Sequence, residues 1–322
     1  MTRASGQSRG LSPTDRDWLS RRFDKNTFFD EPLDKFTSLG VGGPAMVLLQ
    51  VSDLAGLRDI IQWTGERDFP YFLLGKGTNL IVRDGGIQGI VIRLMGEFRS
   101  IEAHKDGTGH TSIQAGAGAM LARLCSFAVK NGLDGLSFAT GIPGTVGGAI
   151  VMNAGTREGC VADAIQEVRI MNTHGKDMSL TSREISWSYR TMTHNLPSEP
   201  GRAAIITGGR FLTRPGNPEI LQNKANEHLQ RRKATQPHGV RSAGSFFKNP
   251  PEGMSAGELI DKAGLKGKAI GGAMVSPVHG NWIVNTGKAT ASQILSLMDL
   301  IRQEVLNMHG ISLEPEVKIV GT

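Results

Sequence analysis

Ala139-Thr-Gly-Ile-Pro-Gly-Thr-Val-Gly-Gly-Ala149 runs on toward Asn153-Ala-Gly155, and residues 141–148 of it hold four glycines and one proline. Such a run cannot be a helix or a regular strand interior. The backbone must turn sharply there or come close to something. A plain structural bend carries the same glycine density. A second stretch of this kind lies upstream, Leu74-Gly-Lys-Gly-Thr-Asn-Leu80, directly after a short apolar strand. Gly75 and Gly77 flank Lys76, so backbone N–H groups can face a pyrophosphate without side-chain obstruction. An ordinary strand-to-strand turn reads the same way. Neither stretch is a GxxxxGK[ST] loop or a GxGxxG fingerprint. Two glycine loops without a standard nucleotide motif point to a cofactor held between two subdomains.

Outward from these loops the pattern is α+β. A strand over Ala45–Val51 precedes a helix in which Leu54, Leu57, Ile60, Ile61 and Trp63 recur at helical spacing. Strands follow at Tyr71–Leu74, Leu80–Arg83 and Gly89–Leu94. Hairpins are expected around Lys105–Gly109 and Asn172–Lys176. A helix runs from about Ala119 to Lys130, and Asn131-Gly132 stops it. Arg214-Pro-Gly-Asn217 marks a boundary, with Asn217 capping a helix that continues to about Arg232. The last long helix covers about Ala291–Met308. Residues 311–321 form a strand that packs back on the body.

The whole chain has 322 residues, 39% hydrophobic and 20% charged, so a folded protein of two or three domains is expected. Its formal net charge of +6 suits a small anionic ligand as well as nucleic acid. No basic run is interleaved with aromatics, so no nucleic-acid partner is expected. No apolar stretch is long enough for a membrane span, and the polar N-terminus lacks a secretory signal. Residues 1–22 read as a partly ordered extension. Cys125 and Cys160 form no metal-type cluster and read as two free buried thiols in a reducing cytosol. A cytoplasmic monomer without metal is the expectation, and no histidine is assigned a role.

Three further segments carry chemistry. Ala243-Gly-Ser-Phe-Phe-Lys-Asn-Pro250 pins Ser245 beside an aromatic pair; an ST-turn serine beside a buried Phe pair is the plainer reading. In Trp187-Ser-Tyr-Arg190 an arginine follows two aromatics, and if part-buried it needs an anion. A structural salt bridge serves equally. In Leu313-Glu-Pro-Glu-Val317 the extended period of two puts Glu314 and Glu316 on one face. Either could face a site, or both could be solvated edge residues.

Taken in order, these segments resemble the UDP-N-acetylenolpyruvoylglucosamine reductase (MurB) family, from about Phe36 to Gly321. Phe36-Thr-Ser-Leu-Gly-Val-Gly-Gly-Pro-Ala45 and Gly271-Gly-Ala-Met-Val-Ser276 belong to the same match. The resemblance implies two FAD-binding subdomains of the vanillyl-alcohol-oxidase type, residues 23–97 and 98–216. A C-terminal α+β substrate-binding domain would occupy 217–311, with 312–322 returning to the first subdomain. FAD would be held by Gly75, Lys76, Gly77, Thr78, Asn79 and Leu80. Its other contacts would be Gly141, Ile142, Pro143, Gly144, Thr145, Gly147, Gly148, Ala149 and Asn153. Tyr189, Lys233 and Asn249 would contact the UDP-sugar. Tyr71 and Tyr189 are the only tyrosines, so none follows Arg190 to cover the uridine, as in the compact second type of the family. Two departures stand out. Gly40 occupies a place where a basic residue is expected, leaving Lys76 as a candidate to neutralise pyrophosphate. Thr78 replaces the usual serine and keeps the hydroxyl.

Similar enzymes take a hydride from NADPH onto FAD and then reduce the enolpyruvyl ether of UDP-N-acetylglucosamine. By resemblance, Arg190 and Glu316 stabilise the enolate and Ser245 gives it a proton. Glu316 must then be protonated or charge-paired with Arg190. Another FAD oxidoreductase of the same superfold, or a non-catalytic nucleotide-sugar binder, are the competing readings. A yellow protein excludes the binder, and reoxidation by the enolpyruvyl substrate excludes the other oxidoreductase.

Overall fold

The computed structural model describes residues 10–196 and 201–322. Residues 1–9 of the expected extension therefore lie outside the described residues. Residues 13–22 do not behave as an extension. They belong to helix α1 (Pro13–Phe23), which Ser12 starts with a capping box: its Oγ accepts the Asp15 N–H at 3.1 Å. Leu19 and Phe23 are buried, and Trp18 stacks on Trp63 with centroids 5.5 Å apart. Only three large apolar residues among many charges carry this helix, which is why its sequence reads as polar.

The first unit is a four-stranded sheet. Strands β1 (Thr27–Pro32), β2 (Pro44–Val51), β3 (Tyr71–Leu73) and β5 (Ile87–Leu94) lie in the order β1-β2-β5-β3, with β2, β5 and β3 parallel. Strand β4 (Leu80–Val82) stands apart from it. Helix α2 (Leu54–Arg67) is capped by Asp53, whose carboxylate accepts the Gly56 N–H at 2.7 Å. Ile90 and Ile92 face the cluster under α1 and α2, while Val91 faces the cluster of Leu33, Leu48 and Leu80. Both faces are covered, which explains the near-continuous apolar runs of β2 and β5.

The second unit is a five-stranded antiparallel sheet. Strands β6 (Ile101–Lys105), β7 (Thr111–Gly116), β8 (Ile165–Met171), β9 (Asp177–Thr181) and β12 (Ile205–Leu212) take the order β9-β8-β12-β7-β6. A separate hairpin pairs β10 (Ile185–Ser188) with β11 (Thr191–His194). Helices α3 (Leu121–Lys130) and α4 (Val146–Val151) pack on this core through Leu121, Leu124, Val146 and Ile150. Cys125 is buried there, but Cys160 is half-buried, so the expectation of two buried thiols holds for one.

After Asn217, helix α5 (Pro218–Thr235) runs one turn past its expected end. The third unit then sets strands β13 (Arg241–Ser245), β14 (Ala269–Ile270), β15 (Ala273–Val275) and β16 (Trp282–Asn285) in the order β13-β16-β15-β14. Helices α6 (Ala256–Lys262) and α7 (Ala291–His309) pack against it, and Gly310 ends α7 at φ +68°. Leu39, Val41 and Ile81 of the first unit join this same core. The terminal strand is short, β17 (Lys318–Val320), and pairs in parallel with β4. The segment before it is held by Phe247 pairing with Pro315.

Candidate active site

The two glycine loops meet. The Thr78 hydroxyl donates to the Pro143 carbonyl at 3.2 Å. A β-carbon on Gly75 would lie 2.7 Å from Thr145 Oγ1, so the approach requires glycine. Gly77 has φ +64° and presses on the Phe36 carbonyl and Thr37, with no room for a side chain. Thr145 caps α4 by accepting the Gly148 N–H at 3.3 Å, so Val146, Gly147 and Gly148 are helical, and the expectation that the run holds no helix is corrected for its last three residues. Leu80 and Ala149 are buried, anchoring the ends of the loops rather than their tips.

The first loop is unusual in what it leaves unbonded. The Leu74 N–H is used by the Ile92 carbonyl. The N–H groups of Gly75, Lys76, Gly77, Thr78 and Asn79 have no acceptor among the described residues. Consecutive backbone donors of this kind form an anion-binding concavity. The residues present therefore fit the pyrophosphate of a dinucleotide cofactor.

A cation stands by the second loop. In the run Arg231-Arg232-Lys233, Arg231 pairs with Glu158 at 2.7 Å and Lys233 is exposed. Arg232 is the side chain against Gly141: a β-carbon there would meet Arg232 Cδ at 2.7 Å and Leu229 at 3.2 Å. Burial lowers the Arg232 pKa and Arg231 lowers it further. It has no carboxylate partner among the described residues. Arg232 and Lys233 lie three and four residues from Leu229, so helical spacing alone does not separate them; the packing against Gly141 does.

Arg190 and Glu316 come together from different units. Arg190 Nε donates to Glu316 Oε1 at 2.7 Å, with side-chain exposures of 23% and 12%. Arg190 closes the two-residue turn between β10 and β11 at φ +59°, a conformation that costs a non-glycine residue about 1–2 kcal/mol. Backbone strain held at such a place points to a site. The Arg190 guanidinium also covers the ring of Tyr189 at 4.8 Å, and Tyr189 is exposed. Glu314 shares none of this: it pairs with Lys248 in the open. Equal strand parity therefore did not give the two glutamates a common environment.

Ser245 lies beside this pair in the chain of backbone contacts. Gly244 at φ +81° and a register shift between Ser242 and Ser245 form a bulge that re-aims the end of β13. The next residue, Phe246, accepts the Glu316 N–H at 2.8 Å. The Ser245 hydroxyl has no protein partner among the described residues. Asn281, buried, braces the turn: its Oδ1 accepts the Phe247 N–H at 2.9 Å and its Nδ2 donates to the Phe247 carbonyl at 2.7 Å. Sequence reading missed Asn281, because nothing local marks a residue that acts across 34 positions.

Two residues expected to contact ligand also hold protein groups. Asn153, at φ +38°, donates to the Ser188 carbonyl at 3.1 Å and accepts the Ala162 N–H at 3.0 Å. It braces the hairpin that carries Arg190. Asn249 accepts the Ala256 N–H at 3.1 Å at the start of α6. Among the described residues no group of three His, Cys, Asp or Glu side chains is placed to hold a metal, and no helix is long and apolar enough to cross a membrane.

The class follows from the loops and the fold: the FAD binding domain family matches residues 45–181, which makes this a flavoprotein. The C-terminal domain of UDP-N-acetylenolpyruvoylglucosamine reductase matches residues 236–320. The enzyme of that name from Desulfosudis oleivorans is 44% identical over 308 residues, covering 95% of this chain and 98% of the relative. The one from Syntrophus aciditrophicus is 42% identical, covering 91% of each. The crystal structure of the Thermus caldophilus MurB superposes with TM-score 0.75 at 39% identity, over 92% of this chain and 98% of that one. The chain belongs to the UDP-N-acetylenolpyruvoylglucosamine reductase (MurB) family, and FAD is its cofactor.

Proposed function

We propose that the chain reduces the enolpyruvyl ether of UDP-N-acetylglucosamine to UDP-N-acetylmuramate with NADPH, a step toward peptidoglycan precursors, and does so as a cytoplasmic monomer. When bound, FAD supplies the hydride transfer that no side chain can perform. Gly75–Asn79 would hold its pyrophosphate through their unbonded N–H groups, with the residues 141–149 closing the other side. The observation that carries the catalytic assignment is the Arg190–Glu316 contact at 2.7 Å, adjoining the bulge that presents Ser245.

Hydride addition to the terminal carbon leaves negative charge next to the substrate carboxylate. Arg190 has five N–H donors and commits Nε to Glu316, so its other donors are available to that carboxylate. Such a preorganised donor is worth about 3 kcal/mol of barrier. Charge pairing keeps the Glu316 carboxylate from repelling the substrate. The unengaged Ser245 O–H then delivers its proton to the α-carbon and is reprotonated by water. A serine is a weak acid, but the enolate is strongly basic and the donor is fixed in place.

The test is anaerobic. Protein reduced by NADPH and mixed with the UDP-sugar enolpyruvyl ether should regain its oxidised flavin absorbance without oxygen. Reoxidation by oxygen alone would mark another flavoenzyme, and a colourless protein would mark a simple binder. Gel filtration tests the monomer.

A further inference from the structure

Arg241 opens the strand that ends in Ser245, and its side chain lies across Gly40. A β-carbon on Gly40 would meet Arg241 Cδ at 2.7 Å, Nη1 at 3.0 Å and Nε at 3.3 Å. The guanidinium thus fills the space a side chain at position 40 would need. Gly40, at φ +67°, is shaped to let it through. The place is fixed from both sides. Arg241 pairs with Asn285 across β13 and β16, and Asn285 Nδ2 donates to the Leu39 carbonyl at 3.0 Å. Ser38 is within hydrogen-bond reach of two carbonyls, Ser242 at 2.6 Å and Gly77 at 3.1 Å. One short segment, residues 37–41, therefore ties Arg241 to the loop whose N–H groups are unbonded.

Arg241 has no carboxylate partner among the described residues. An exposed guanidinium held over glycine, unpaired, and linked through residues 37–41 to the loop of unbonded backbone donors is suited to a phosphate. We propose that Arg241 is a diphosphate-anchoring residue, supplying from the third unit a cation next to the loop segment that leads to the unbonded donors. This extends the functional reading above and rests on it. Two bound molecules carry the chemistry, the pyrophosphate of FAD and the diphosphate of the UDP-sugar.

The experiment measures binding rather than turnover. Apoprotein is titrated with FAD by fluorescence quenching, and the oxidised holoenzyme is titrated with UDP-N-acetylglucosamine. Arg241→Ala should weaken one of the two about tenfold or more. Which arm moves names the diphosphate. Arg241→Lys should recover part of the loss. Gly40→Ala should displace the guanidinium and weaken the same ligand, and adding it to Arg241→Ala should cost little more, since both remove one interaction. Lys105→Ala, in the distant β6–β7 hairpin, controls for net charge. The proposal is overturned if Arg241→Ala, folded by circular dichroism, binds both ligands within twofold of the parent, or if Lys105→Ala weakens the same ligand equally. If the parent itself binds no FAD, it is the flavoenzyme reading that falls.

Discussion

Asn79 and Glu316 are joined by a hydrogen bond of 3.2 Å, from the Asn79 side-chain amide to the Glu316 backbone carbonyl. The first glycine loop thereby holds the residue that pairs with Arg190. The Asn79 carbonyl accepts the Lys318 N–H at 3.1 Å, so the tail is held twice. Asn79→Ala should slow substrate-driven reoxidation about tenfold, because a small displacement of a charged group is costly in the transition state. Comparison of stopped-flow reoxidation with the rate of NADPH-driven reduction checks this: reduction should change less than twofold.

Arg190 and Glu316 form one unit. Arg190→Gln or Glu316→Gln alone should each lower kcat/KM by about a hundredfold or more, since each leaves a part-buried charge unpaired. The double variant should be far less damaged than the product of the two. Steady-state kinetics on all four proteins reads the coupling. Additive losses would show that the two residues act separately.

Asn281 carries both hydrogen-bonding groups of Phe247 and has no direct contact with the reaction in this account. Asn281→Ala should destabilise the fold by about 1–3 kcal/mol, the cost of leaving buried backbone groups unsatisfied. Urea denaturation measures it as a lower midpoint with an unchanged slope.

Burial pushes the Cys125 thiol up to about 12, against a hydrogen bond from Thr140 that works the other way. In the unfolded chain the thiol ionises near pH 8.5. The folded state then binds the proton more tightly, so Cys125 lowers stability as pH climbs above about 8.5 and does not affect it below. At pH 8 a thiol reagent should leave native Cys125 unmodified until denaturant is added, which mass spectrometry of labelled peptides checks.

Much of this site is legible in the residues because its parts are local. Glycine density marks both loops, and Ser245, Arg190 and Glu316 each sit in a short segment with its own signature. What is not legible is set by three-dimensional neighbours. Arg231, Arg232 and Lys233 are equivalent as a string, and only the helix turn that also brings Leu229 to Gly141 selects Arg232. By the family resemblance Gly40 stands where a base is expected, and Arg241 reaches it only once the third unit has packed on the first. Asn153 and Asn249 are named by resemblance, and their backbone bonds to Ser188 and Ala256 show only once the chain is folded.

Ser245 is proposed as the proton donor to an enolate that Arg190 and Glu316 stabilise. Ser245→Ala separates the two half-reactions by anaerobic stopped-flow. FAD content and NADPH-driven reduction should match the parent, while reoxidation by the enolpyruvyl substrate should fall about a hundredfold or more, the usual contribution of a positioned acid. Reoxidation at the parent rate would contradict the account and leave Ser245 as a structural residue of its bulge.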